Sequence, residues 1–81
     1  MYTKVQFGKD LKQQVFEQKN IELIGRWAFS AYSKHISHIE DDVIDIALDL
    51  GTMELGPEFA YSYEELDQIA DDLIAGKDVK L

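Results

Sequence analysis

Three groups of side chains have types and spacings from which chemistry can be built. His35 and His38 stand at i, i+3, with Asp41 and Asp42 one turn further on. On a helix, two imidazoles and a carboxylate at that spacing can meet a metal ion. The chain has no third His and no Cys, so polar residues at a helix junction are the expectation here. Asp41, Asp45 and Asp49 repeat every four residues, which stacks them on one helix face. A calcium loop instead needs carboxylates at alternate positions, a Gly and a distal Glu. Glu54 and Glu58 have the residue types of an acid–base pair, but nothing in the sequence builds a cleft around them. Ser30, Ser33, Ser37 and Ser62 lack the context of a nucleophile elbow. Neither Gly51 nor Gly56 is followed by the Lys-Ser/Thr of a phosphate loop. The chain reads as non-catalytic, with no metal and no cofactor.

Charge is the stronger signal. The 81 residues carry 8 Lys and Arg against 16 Asp and Glu, a formal charge of −8. Residues 1–39 hold six cations (Lys4, Lys9, Lys12, Lys19, Arg26, Lys34) and three acids, a net of +3. Residues 40–81 hold only Lys77 and Lys80 against thirteen acids, a net of −11. Asp42 joins Asp45 and Asp49 at i, i+3, i+7, and Glu64, Asp67 and Asp71 repeat that spacing further on. Like charges one turn apart destabilise a helix by a few tenths of a kcal/mol each. The helix dipole relieves this for acids in a first turn, but not for Asp45, Asp49, Asp71 or Asp72.

Helices must position these rows. Leu11, Val15 and Phe16 suggest a short helix from Asp10, its N-cap, to Gln18. Asn20 precedes Ile21, Ile24, Trp27, Ala28, Ala31 and Tyr32, which keep helical spacing over three turns. Gly25 inside that run either permits close approach of another helix or is simply tolerated. Ile36, Ile39, Val43, Ile46, Ala47 and Leu50 form a third apolar stripe, with Gly51 as its terminator. Pro57 disfavours helix at Gly56, so 51–61 reads as a loop. Met53, Leu55, Phe59, Tyr61 and Tyr63, in and beside it, are the candidate anchors for a partner; the alternative for Leu55 and Phe59, and the expectation for Phe59, is to tuck under the loop and close the core. Ser62 and Glu65 form a capping box for a last helix whose apolar face is Leu66, Ile69, Ala70, Leu73 and Ile74, closed by Gly76. Tyr2 to Phe7 alternate loosely, but one strand has no partner, so an arm or an early helical turn is expected. The expectation is an all-α bundle of three to four helices. It forms a single domain over 1–81: an arm at 1–8, the bundle at 9–76 and a tail at 77–81.

Composition excludes several classes. Hydrophobic residues make up 46%, too many for a disordered acidic tail. No stretch approaches the roughly 18 apolar residues of a membrane helix. The segment MYTKVQFGKD lacks the apolar core of a signal peptide, so a cytoplasmic location is expected. A charge of −8 argues against nucleic acid as a partner, because phosphate binding relies on Lys and Arg. Acyl carrier proteins share this length, charge and helix count. They attach their prosthetic group at an Asp-Ser-Leu motif, and this chain has no Asp-Ser.

The segment Met53-Glu54-Leu55-Gly56-Pro57-Glu58-Phe59, followed by Ser62-Tyr63-Glu64-Glu65-Leu66, resembles small bacterial immunity proteins. These are encoded beside toxins of contact-dependent inhibition and related polymorphic toxin systems. The resemblance spans about residues 40–76. It implies neutralisation of a cognate toxin by tight binding; the small acidic inhibitors of colicin nucleases are a functional analogue. The charge reading points the same way, because a nuclease must be basic to grip phosphates. The expected partner is thus a basic toxin domain. The expected interface is Asp41, Asp42, Asp45, Asp49, Tyr61, Tyr63, Glu64, Asp67 and Asp71, with Tyr61 and Tyr63 as exposed anchors. The free protein is expected as a monomer or a dimer. The competing expectation is a homo-oligomeric or regulatory helical protein whose acidic face is only solvated.

Overall fold

The computed structural model describes all residues from Met1 to Leu81. Four helices form: α1 (Lys4–Phe16), α2 (Ile21–His35), α3 (Asp41–Gly51) and α4 (Tyr63–Ile74). Single 3-10 turns at Ile36–His38, Thr52–Glu54 and Pro57–Phe59 join them. No named strand is present, so the all-α expectation stands.

Local chemistry sets most of the helix ends. The Asn20 side chain accepts from the Glu22 N–H at 2.8 Å and opens α2. The expected capping box opens α4: the Glu65 N–H donates to Ser62 Oγ at 3.1 Å, and the Ser62 N–H to Glu65 Oε1 at 3.0 Å. Gly76, at φ 78°, closes α4. Its N–H reaches Leu73 O and the Lys77 N–H reaches Asp72 O, which satisfies two of the last carbonyls. The same paired closure ends α1, but there Gln18 takes the left-handed conformation at φ 52°.

The N-terminal segment differs from the expected arm. Helix α1 starts at Lys4, not Asp10, because the Thr3 side chain accepts from the Gln6 N–H at 3.1 Å. Asp10 therefore lies mid-helix, where its carboxylate accepts from the Tyr2 hydroxyl at 2.7 Å. Tyr2 itself is buried and forms a single parallel bridge with Ile39. The Tyr2 N–H donates to His38 O at 2.6 Å, and the Glu40 N–H to Tyr2 O at 3.0 Å. This bridge also corrects the third segment. Ile39 is drawn into extended backbone, so α3 begins at Asp41 and Ile36 lies on the surface. Gly51 is right-handed at φ −59° and does not terminate the run, which passes directly into the turn at Thr52.

The helices pack as two pairs, α1 on α4 and α2 on α3. Each pair meets at a glycine. A Cβ at Gly8 of α1 would stand 2.9 Å from both Ala70 O and Leu73 Cβ of α4. A Cβ at Gly25 of α2 would stand 3.0 Å from Leu50 O and 3.1 Å from Met53 Cβ. Gly25 thus serves close approach. Fifteen buried apolar residues form one core, including Phe7, Leu11, Ile24, Leu50, Met53, Leu66 and Leu73. Phe7 and Trp27 stack at 5.2 Å and tie α1 to α2. No buried side-chain N or O lacks a partner.

Two substitutions with opposite signs test this backbone logic. Gln18→Gly should stabilise the protein by about 1 kcal/mol, because only Gly adopts the left-handed region without strain. Gly8→Ala should destabilise it by about 1–2 kcal/mol, since overpacking against α4 outweighs the gain in helix propensity. Urea midpoints at unchanged slope measure both.

Candidate functional site

The nine residues of the expected interface have four different environments. Asp41 and Asp45 lie on the outer surface of α3, exposed and without a hydrogen-bonding or ion-pair partner. Asp45 lines an open groove of about 280 Å³ with Val79 and Lys80 of the C-terminal tail, which crosses this side of α3. Asp42 meets Lys4 Nζ at 3.5 Å, and Lys4 also reaches Asp78 at 3.3 Å. Glu64 is exposed in the first turn of α4.

Asp67 and Asp71 are not part of a free acidic row. Both hold Lys12 Nζ of α1, Asp67 at 3.1 Å. This corrects the expectation that the acids of α4 go unrelieved. Their counter-charge comes from a different helix, and its placement follows from the α1–α4 pairing. The two carboxylates raise the pKa of Lys12, the hydrogen bond that it donates to Asp71 contributing most. The pair is solvent-exposed, so its contribution is small and screened by salt. Nor do α3 and α4 pack side by side, so their acids do not merge into one continuous face.

Neither tyrosine is a free anchor. The ring of Tyr61 packs against the core, and its hydroxyl donates to Asp49 Oδ2 at 2.7 Å. Tyr63 keeps an exposed ring, but its hydroxyl donates to Lys19 O at 2.7 Å and ties α4 to the α1–α2 turn. Met53 is fully buried beneath α2. Phe59 does not tuck under the loop as expected: it is 46% exposed, and Leu55 is 74% exposed. The core closes with Met53 instead, since the 3-10 turn at Thr52–Glu54 aims that side chain inward.

The histidines are separated in role. His35 stacks on Tyr2 with ring centroids 4.0 Å apart, which fixes the N-terminal segment across the end of α2. No group of three His, Asp or Glu side chains is arranged to hold a metal ion. Glu54 pairs with Arg26 Nε at 2.8 Å, which ties α2 to the turn at Thr52–Glu54. No helix is long and apolar enough to cross a membrane.

A feature missed by reading the rows of acids is the apolar surface beside them. Phe29 and Ile36 on α2 and the turn after it, and Leu48 on α3, are 50%, 56% and 41% exposed. The signal was present in the sequence as the spacing Phe29, Tyr32, Ile36 on a second shoulder of α2, next to its core face.

The Asp49 contact has a pH signature. The hydrogen bond to Asp49, with burial second, pushes the Tyr61 phenol up from 10 to about 12. A raised folded pKa stabilises below the unfolded pKa and loses that stabilisation as pH rises through the folded one. The contribution of Tyr61 is therefore whole below pH 10 and gone above about pH 12. Tyr61→Phe should cost about 1 kcal/mol at pH 7 and flatten the alkaline fall in stability over that window. Denaturant unfolding from pH 7 to 12 checks it. Comparison with protein-family models, with curated proteins and with solved structures finds no match to this chain.

Proposed function

We propose that the protein acts by stoichiometric binding and neutralises a basic toxin-type protein domain, as an immunity protein does, without catalysing a reaction. The observation that supports this most directly is the charge left once every internal contact is made. Lys4 and Lys12 hold Asp42, Asp67, Asp71 and Asp78, yet Asp41 and Asp45 stand unpaired on the outside of α3. The whole chain still carries −8. Such a surface steers a cationic partner by long-range attraction and rejects anionic ones. The working surface is narrower than the nine expected residues. It centres on Asp41 and Asp45, with Glu64 at a distance, while Asp42, Asp49, Tyr61, Asp67 and Asp71 serve the fold first.

The competing reading is a homo-oligomer with a merely solvated acidic surface. The exposed Phe29, Ile36 and Leu48 favour it, because they are apolar surface a second copy would cover. Sedimentation separates the two: a monomer supports binding to a different protein, and a stable dimer supports self-association.

The direct test uses the proteins encoded by the adjacent reading frames. Co-expression of this chain should rescue growth of cells making the toxic domain, and a 1:1 complex should be isolated. Asp45→Lys should slow association by roughly tenfold at low salt and reduce its salt dependence. Growth arrest unrelieved by this chain, or an association rate unchanged in the variant, overturns the reading.

A further inference from the structure

Helices α2 and α3 form an antiparallel hairpin whose outer seam is apolar. Phe29 and Tyr32 of α2, and Ile36 in the turn that follows it, recur at i, i+3, i+7 on the side that faces α3. Ile44 and Leu48 recur at i, i+4 on the facing shoulder of α3. The two shoulders are joined at one end, where Phe29 lies over Gly51; a Cβ there would stand 3.5 Å from Phe29 Cβ. Antiparallel register then places Tyr32 at the level of Leu48 and Ile36 at the level of Ile44. Phe29 and Tyr32 rings lie 6.0 Å apart. The strip runs about 10 Å, two helical turns. The other exposed large apolar residues do not line up in this way: Phe16 is on α1, Leu23 on the far side of α2, and Leu55 and Phe59 are in the loop before α4.

Charge decides what fits the strip. Along its α3 edge stand Asp41 and Asp45, the two unpaired carboxylates of that helix. Along its α2 edge stand Ser30 and Ser33, and Arg26 of the same helix is held by Glu54 at 2.8 Å. A second copy docked by this same face would set its own Asp41 and Asp45 against these carboxylates, with Lys80 of the tail, beside Asp45, as the cation bordering them. We infer that the α2–α3 seam is the docking groove for one amphipathic, lysine- or arginine-bearing helix of a protein partner. Its apolar residues at i, i+3 or i+4 and i+7 lie on Phe29, Ile36, Ile44 and Leu48, and its cations lie over Asp41 and Asp45. The sign of the partner's charge rests on the function proposed above; the position of the groove does not.

The test is titration with two designed 18-residue helical peptides of the same apolar pattern, one Leu/Lys and one Leu/Glu. Methyl NMR reads the site. The Leu/Lys peptide should shift the methyl signals of Ile36, Ile44 and Leu48, and the Leu/Glu peptide should not. Phe29→Ser should weaken binding of the Leu/Lys peptide by about tenfold or more. Leu48→Ser carries a risk to folding, so the exposed double variant Asp41→Asn/Asp45→Asn serves as the second probe and should weaken binding several-fold at low salt. Shifts confined to other surfaces, or equal binding of both peptides, overturn the inference. Self-association by sedimentation that Phe29→Ser abolishes also overturns it and assigns the seam to a second copy. Growth rescue that survives Phe29→Ser overturns the groove while leaving the immunity function in place; absence of rescue with an intact peptide site does the reverse.

Discussion

Two helices approach to backbone contact only where a side chain is missing between them, and this protein uses that constraint twice. Gly8 lets α1 settle on the carbonyls of α4, and Gly25 lets α2 settle on the end of α3. The remainder of the architecture follows from these pairings. They decide which apolar faces meet in the core, and hence which shoulders are left outward. They also decide which charges become neighbours: Lys12 of α1 is carried onto Asp67 and Asp71 of α4, and Lys4, at the start of α1, onto Asp42 of α3 and Asp78 of the tail.

The electrostatic consequence is a division of labour among residues that look alike in sequence. Asp67 and Asp71 of α4 have Lys12 as a counter-charge, whereas the acids of α3 are split three ways. Asp42 turns toward Lys4 and the tail, Asp49 accepts from Tyr61, and Asp41 and Asp45 face water. Surface ion pairs of this kind add little stability. Their effect is on the field: they remove negative potential from one side of the molecule and leave it on another. A partner approaching from solution meets an acidic edge beside an apolar seam, a combination that gives both attraction at a distance and area at contact.

Much of this was legible in the sequence. The core positions of α2 and α4, the Ser62–Glu65 capping box and the closing Gly76 all follow from local rules and all occur where expected. What escaped was set by contacts between residues far apart in the chain. Tyr2 pairs with Ile39, and so α1 starts early and α3 late. Lys12 reaches Asp67 and Asp71, so the row on α4 looks free only when α4 is read alone. Tyr61 and Met53 lie in a stretch that reads as a loop, yet its two short 3-10 turns give it an inside and an outside. The acidic rows were read correctly as helix faces, but one face of a helix is not a surface until its neighbours are known.

The order of the pairs along the chain has a consequence for how the molecule is made. Helices α2 and α3 are adjacent in sequence and can form their hairpin early, whereas α1 must wait for α4. On a ribosome, roughly 3–12 s separate synthesis of Phe16 from synthesis of Ile74 at 5–20 residues per second. Through that interval Phe7 and Leu11 have no α4 to lie against, and the nascent chain must stay dispersed with its first helix uncovered. Lys4, Lys9 and Lys12 punctuate that segment with positive charge. They discourage premature coalescence until the fourth helix arrives, where Asp67 and Asp71 accept Lys12.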